Sequence, residues 1–379
     1  MQRRRIRSGC ISRSFPNRTL SKIAALLAAM KVSGGLSVSR YSKAALHQAY
    51  HHCWFVVARS QDISKPKAAV LLDRNLVVFR DKDGIARVTD RYCVHRGGDL
   101  AIGEVCDTGV RCPYHGWTFD GGTGKCTGIP ALPDPAKFPP NAPSIKAYPV
   151  IERFEHVWTC LEEPMFDLPD PPEIQNLKLD WRAAEPIPVP IGFMAATENF
   201  NDMAHFAFVH AGSMGNVSPI VDSMQINRRG RELQTTIHYP SIPGSEFSSM
   251  GDSWMHYHAY APGIATILYD YGEGGHRYLV DFPSPVSSES AIIYWGSATA
   301  SDFKHGSADD ILALETIVFN EDTPIVSRIV PKEVPLDGRV REFSCSADIL
   351  TLNYRRAVMD VVDKIQERFG YVHTSEAAE

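Results

Sequence analysis

Apolar residues in the first half of the chain come in short clusters. "CWFVVARS" (53–60) and "NLVVFRDKDGIARVTD" (75–90) are rich in Val, Ile and Phe, which predicts short strands, with "DKDG" as the turn inside the second. "GGTGK" (121–125) and prolines at 130, 133 and 135 add further turns, so this region reads as small sheets and loops. The Pro-rich, acidic stretch "EEPMFDLPDPPE" (162–173) suits a linker. Beyond it the pattern changes. "SMGDSWMHYHAYAPGIATILYDYG" (249–272) and "IIYWGSA" (292–298) alternate as sheet strands do, whereas "ILALETIVFNEDTPIVSRIVP" (311–331) carries a helical pattern. The expected organisation is an extension over 1–46, a β domain over 47–165 and an α+β domain over 166–379.

Composition narrows the class. A chain of 379 residues with 44% hydrophobic content can bury two cores. A net charge of −5 argues against a nucleic-acid partner. No run is apolar for long enough to cross a bilayer, which predicts no membrane association. The 8 cysteines form no regular disulfide framework, so a reducing, cytoplasmic compartment is expected. Residues 1–61 contain no acid, while Arg3, Arg4, Arg5, Arg7 and Arg13 make the start basic. That stretch reads as an unstructured, dispensable arm, with Met30 as an alternative initiator.

Candidate chemistry begins at "YCVHRGGDLAIGEVCDTGVRCPYHGW" (92–117). Cys93, His95, Cys112 and His115 form C-x-H-x16-C-x2-H. Structural zinc sites usually pair like with like, but here each tight pair is mixed. Mixed pairs let the cysteines converge on one iron and the histidines on another, which is the ligand demand of a Rieske [2Fe-2S] cluster. Gly97, Gly98 and Gly116 would let backbone approach it closely.

A second motif lies in "TENFNDMAHFAFVHAGSMG" (197–215), where Asn199, Asp202, His205 and His210 make N-x2-D-x2-H-x4-H. Asp202 stands three residues before His205, on the same face of any helix. On an ideal α-helix, His205 and His210 would splay by about 140°. Local widening or a helix end must bring them together. The segment read alone also fits a buried helix with two core histidines.

Together these motifs resemble the Rieske non-haem iron oxygenases, and "GWTFDGGTGKCTGIP" (116–130) is similar to their vanillate and dicamba O-demethylase type. The resemblance implies an all-β Rieske domain followed by a catalytic α+β domain of helix-grip type. It also implies a 2-His-1-carboxylate Fe(II) site held by His205, His210 and an acid in "NED". Asp322 is the acid chosen, Glu321 the neighbour expected to be replaceable without loss, and Asp348 a more distant rival. Asp202 and Asn199 are placed in the catalytic site. Asp202 is expected to bond His205 and to reach His115 of the partner subunit within a homotrimer.

The activity so implied is that of a terminal oxygenase using O2. It would remove an N- or O-alkyl group from a small aromatic substrate, with electrons from NADH arriving through a ferredoxin reductase and a ferredoxin. No G-x-G-x-x-G fingerprint after a strand provides a dinucleotide site in the chain itself. The aromatic residues of 249–272 and 292–298 could line an apolar pocket, favouring a neutral substrate such as an anilide, or they could be core. Arene ring dioxygenation is the alternative reaction. The alternative classes are a Rieske electron-transfer protein, which leaves the second motif unexplained, and a zinc-binding protein, which the mixed pairs oppose.

Overall fold

The computed structural model describes residues 41–134, 137–336 and 342–370. The basic arm over 1–40 lies outside the described residues. The order begins earlier than residue 47, because Ser42 caps a helix over Lys43–Tyr50 by accepting from the Ala45 N–H. Leu46, Ala49 and Tyr50 are buried, and Tyr50 packs edge-on against Phe193 at 5.0 Å between ring centroids. Tyr41 donates to Asp363, so this first helix is docked on the second domain before the chain enters the first.

The β domain is built from three small antiparallel sheets. Strands Arg74–Arg80 and Ala86–Asp90 are joined at "DKDG", where Asp81 Oδ1 accepts from the Asp83 and Ile85 N–H groups and Gly84 takes φ +81°. A side chain on Gly124 would stand 2.0 Å from the Ile145 carbonyl oxygen, so that turn of "GGTGK" requires glycine. Val77, Phe79, Leu100, Val110 and Phe119 form a core that also contains Cys93 and Cys112. The segment 162–173 is no loose connector. Trp54 donates to the Phe166 carbonyl, Arg153 to those of Leu168 and Pro169, and Leu168 is buried.

The second domain is organised on an eight-stranded antiparallel sheet. Its central strands are Glu232–Tyr239, Ser253–Tyr260, Ile264–Asp270, His276–Ser287 and Ser290–Ala300. Side chains alternate across a sheet, and the register places residues of like parity opposite one another, giving two faces with two cores. Even-numbered Tyr260, Ile264, Tyr278, Val280, Phe282 and Tyr294 pack on Val56, Trp158 and Leu168 from the β domain and the connector. Odd-numbered Tyr257, Ile267, Leu279, Ile293 and Trp295 pack on the helices Phe193–Asn201, Ala308–Val326 and Ile349–Phe369. Helix Ala308–Val326 starts with a capping box between Ser307 and Asp310, and it is oriented on the sheet by Phe319 stacking on Trp295 at 4.1 Å. No described helix is long and apolar enough to cross a membrane.

Candidate metal centres

The first centre sits on two loops with the same backbone device. The Gly97 N–H returns to the Cys93 carbonyl at 2.8 Å and the Gly116 N–H to that of Cys112 at 3.0 Å. Both glycines have left-handed φ, +68° and +71°, which a side chain would oppose. Each turn swings a cysteine and its histidine to the same tip. The cysteines point inward, 3% and 2% exposed, while His115 reaches the surface. Ring centroids of His95 and His115 are 4.7 Å apart, and His95 lies flat on Trp117 at 4.5 Å. A Cβ on Gly98 would come within 2.6 Å of Cys112 Sγ, so this glycine keeps the backbone close to the sulfurs.

These residues fit a Rieske cluster. His95 Nδ1 is buried without a protein partner. Burial pushes the Cys93 thiol up, but the backbone N–H groups of His95 and Arg96 face its sulfur and oppose that shift. Such donors favour an anionic sulfur.

The second centre depends on a broken helix. Helix Phe193–Asn201 stops at Asp202, whose backbone is extended (φ −94°, ψ 137°), and a single turn, Phe206–Val209, follows. His205 and His210 bracket that turn. This break resolves the expected splay: the imidazole centroids are 4.9 Å apart, with Nε2 to Nε2 at 3.0 Å. Asp202 therefore shares no helix with His205. Instead its carboxylate accepts from the Ala204 and His205 N–H groups and lies 3.1 Å from His205 Nδ1.

Asp322, on helix Ala308–Val326, places Oδ1 3.5 Å from Nε2 of both histidines. The three candidate ligand atoms lie within 4.8 Å of one another. Asp322 Oδ1 is buried and lacks a hydrogen-bond partner. Burial pushes this carboxyl up, against the opposing influence of His210, His205 and the nearby Asn199. An orphaned carboxylate oxygen facing two imidazole nitrogens fits a divalent cation, and two histidines with one carboxylate are the donor set of non-haem Fe(II) sites.

Glu321 turns out to be a participant. Its Oε2 lies 3.1 Å from His210 Nδ1 and accepts from Ser213 Oγ at 2.7 Å, while Oε1 accepts from the Ser213 N–H at 3.1 Å. Asp202 on His205 and Glu321 on His210 thus make matching pairs. A carboxylate at Nδ1 holds the proton there and leaves the Nε2 lone pair for the centre. These contacts run against the expectation that Glu321 is replaceable without loss. Asp348 stays apart, at the start of helix Ile349–Phe369, where it accepts from the Cys345 N–H.

Sequence reasoning missed Ser213 and Asp281. Asp281 is 1% exposed, neither carboxylate oxygen has a protein partner, and Asp322 is among the charges acting on it. An acid in the apolar run "YLVDFP" (278–283) was the available signal. An open cavity of about 1280 Å³ adjoins the second centre, lined by Met203, Phe206, Thr235, Tyr239, Met255 and Tyr257 among others. Its lining mixes polar and apolar side chains.

Comparison with known proteins follows the two halves of the chain. Residues 53–149 match the Rieske [2Fe-2S] domain family, and residues 193–364 match the vanillate O-demethylase oxygenase C-terminal domain family. The methylxanthine N1-demethylase NdmA of Pseudomonas putida is 27% identical over 341 residues, covering 83% of this chain and 90% of that protein. Its structure with caffeine superposes with a TM-score of 0.73 at 22% identity, over 88% of this chain and all of the other. Dicamba monooxygenase with non-haem iron and dicamba gives a TM-score of 0.66 at 20% identity, over 84% and 99% of the two chains. Both superpositions speak to the fold. The oxidoreductase NdmD of Pseudomonas putida shares 38% identity over 113 residues, 29% of this chain and 19% of that protein.

Proposed function

Since the chain belongs to the Rieske non-haem iron oxygenases, we propose that it is the terminal oxygenase of a monooxygenase system that dealkylates a small N- or O-alkyl aromatic substrate. The observation that carries this reading is the convergence of His205, His210 and Asp322 with no further His, Cys, Asp or Glu joining them among the described residues. Three protein ligands on one side leave positions for O2. Cys93, His95, Cys112 and His115 would hold the [2Fe-2S] cluster, and His205, His210 and Asp322 the mononuclear iron. When bound, the cluster supplies single electrons and the iron supplies O2 activation.

The chain's own residues then have separable tasks. Asp202 and Glu321 hold the Nδ1 protons of His205 and His210 and so fix the direction of both rings. Asn199 stands beside Asp322, where its amide favours the ionised carboxylate. Phe206, Met203 and Met255 wall the cavity with apolar surface beside His205, where substrate would displace water. Electrons come from partner proteins; a ferredoxin, its NADH-dependent reductase and a homotrimer joining Asp202 to His115 of the partner subunit complete the system. Methylxanthines and dicamba, the compounds for which the relatives are named, both carry alkyl groups on N or O, which supports dealkylation over ring dioxygenation.

The test reconstitutes the holoenzyme with NADH, ferredoxin and reductase. N-methylxanthines, N-alkyl anilides and aryl methyl ethers are offered, with aldehyde trapped and products weighed. One aldehyde per dealkylated product is expected, because hydroxylation of a carbon bearing N or O gives an adduct that expels aldehyde. Formation of cis-dihydrodiols alone would replace this reading with arene dioxygenation.

A further inference from the structure

The two faces of the central sheet treat polar side chains differently. On the even face His258 is matched with Glu173 and Gln234, Tyr278 with Glu173, Thr266 with the His258 carbonyl, Ser284 with that of Val56, and Tyr294 with that of Val57. On the odd face, toward the iron ligands, five residues are unmatched. Thr235 Oγ1, Tyr239 OH, Tyr257 OH, Ser297 Oγ and both Asp281 oxygens are buried without a protein partner. Buried polar atoms without partners are uncommon, and several on one surface point to a ligand.

Register places these groups together. Thr235 is opposite Tyr257, and the same row runs through Ile267 and Leu279 to Ser297. The adjacent row contains Ala259, Ala265, Asp281 and Trp295, so the carboxyl has two small side chains as its neighbours on that face. Tyr257 and Asp281 stand two strands and one row apart, about 12 Å between their backbones at the usual spacings, so one ligand contacting both must be about the size of a bicycle. Thr235, Tyr239 and Tyr257 also line the open cavity that reaches Phe206, whose ring is 5.0 Å from that of His205.

The charge on this face limits the ligand. Arg277 projects from it, but it is held by Glu315 and Tyr271, so it is not offered to a carboxylate. Both Asp281 oxygens are buried without a hydrogen-bond partner, surroundings that favour the neutral carboxyl. A neutral carboxyl both donates and accepts, as a hydroxyl does.

We propose that Thr235, Tyr257 and Asp281 recognise the substrate by hydrogen bonds, and that this substrate is a neutral N- or O-alkyl heterocycle bearing ring carbonyl or ring nitrogen acceptors. The proposal rests on the dealkylation reading for the words N- or O-alkyl, and on the orphaned groups for the rest. Apolar aryl ethers, aryl carboxylates and alkylammonium cations would leave some or all of these groups unpaired, and sites built to hydrogen-bond a ligand reject analogues that lack the partner.

Binding is measured on the iron-loaded holoenzyme without O2, by calorimetry, with 1-methylquinazoline-2,4-dione, 1-methylnaphthalene, 4-methoxybenzoate and trimethylanilinium as probes. The dione should bind at least about tenfold more tightly than the naphthalene, and Tyr257→Phe and Asp281→Leu should each weaken it about tenfold while leaving the naphthalene unchanged. Asp281→Asn should retain most of the affinity, because a neutral amide also donates and accepts; it covers the case in which the leucine variant does not fold. Equal binding of dione and naphthalene, or no loss in any variant, overturns the proposal. Preference for trimethylanilinium with loss in Asp281→Asn overturns it too, since the carboxylate would then be a counter-charge. If the dione binds as expected but no probe is ever dealkylated, the reaction reading fails and this recognition stands.

Discussion

Glu321→Gln replaces one carboxylate oxygen by an NH2 group beside His210, and three contacts determine its effect. The glutamate accepts from His210 Nδ1 and Ser213 Oγ through Oε2 and from the Ser213 N–H through Oε1. An amide has a single accepting oxygen. If that oxygen faces His210, the NH2 meets the Ser213 N–H, donor against donor. If the amide flips, the NH2 donates to His210 Nδ1, and the ring proton moves to Nε2, where it covers the lone pair that would bind iron. Little relaxation is available, because His210 is 1% exposed and Gly212 leaves only enough room for Glu321 Oε1. Losing a carboxylate partner of a ligating histidine weakens metal binding about 10–100-fold. At about 1.36 kcal/mol per decade, the loss is about 1.4–2.7 kcal/mol. Asp322→Ala removes a ligand atom and should empty the site. Competition for Fe(II) against a chelator under argon measures both, with visible circular dichroism following the cluster independently. The reasoning is refuted if Glu321→Gln binds Fe(II) as tightly as the native chain, or if Glu321→Ala empties the site and Asp322→Ala does not.

Other expected outcomes concern different parts of the molecule. His95→Cys or His115→Cys should lower the cluster potential, since histidine ligation is what raises Rieske potentials; an unchanged potential and spectrum would exclude both as ligands. Asp202→Asn should weaken Fe(II) binding about 10–100-fold, as Glu321→Gln does, and with iron supplied in excess so that both centres are filled it should still slow turnover by more than that factor, because the electron route is lost as well. Stopped-flow should then show the reduced cluster persisting in the presence of substrate and O2, and prompt reoxidation with normal product yield would end the relay idea. Glu315→Ala should cost about 3–5 kcal/mol in denaturant unfolding, because it strands the buried Arg277 guanidinium, whereas Arg277→Met with Glu315→Leu should recover most of the loss.

The sequence by itself determined the kind of chemistry. Cys93 with His95 and Cys112 with His115 are each at most three residues apart, on turns whose glycines have left-handed backbones, so the pairs are assembled locally and can be read locally. The strand alternation and the helix over Ala308–Val326 were legible for the same reason, since periodicity is a property of neighbours. Tertiary structure decided everything that depends on direction. Glu321 and Asp322 are adjacent, and about 100° of helix rotation separates them. The rotation is set by Phe319 stacking on Trp295, a contact across the fold that no local pattern encodes. The break at Asp202 that joins His205 to His210 is closed by its own carboxylate, which accepts from the Ala204 and His205 N–H groups, but no hydrophobic periodicity announces it. The docking of helix Lys43–Tyr50 on the second domain, ahead of the expected boundary, arises from packing. Asp281 and Tyr257 are 24 positions apart in sequence, and only the pairing of three strands puts them on one surface facing the metal ligands. Ligand identity is a local code, whereas the direction in which a ligand or a recognition group points is fixed by contacts between residues distant in the chain.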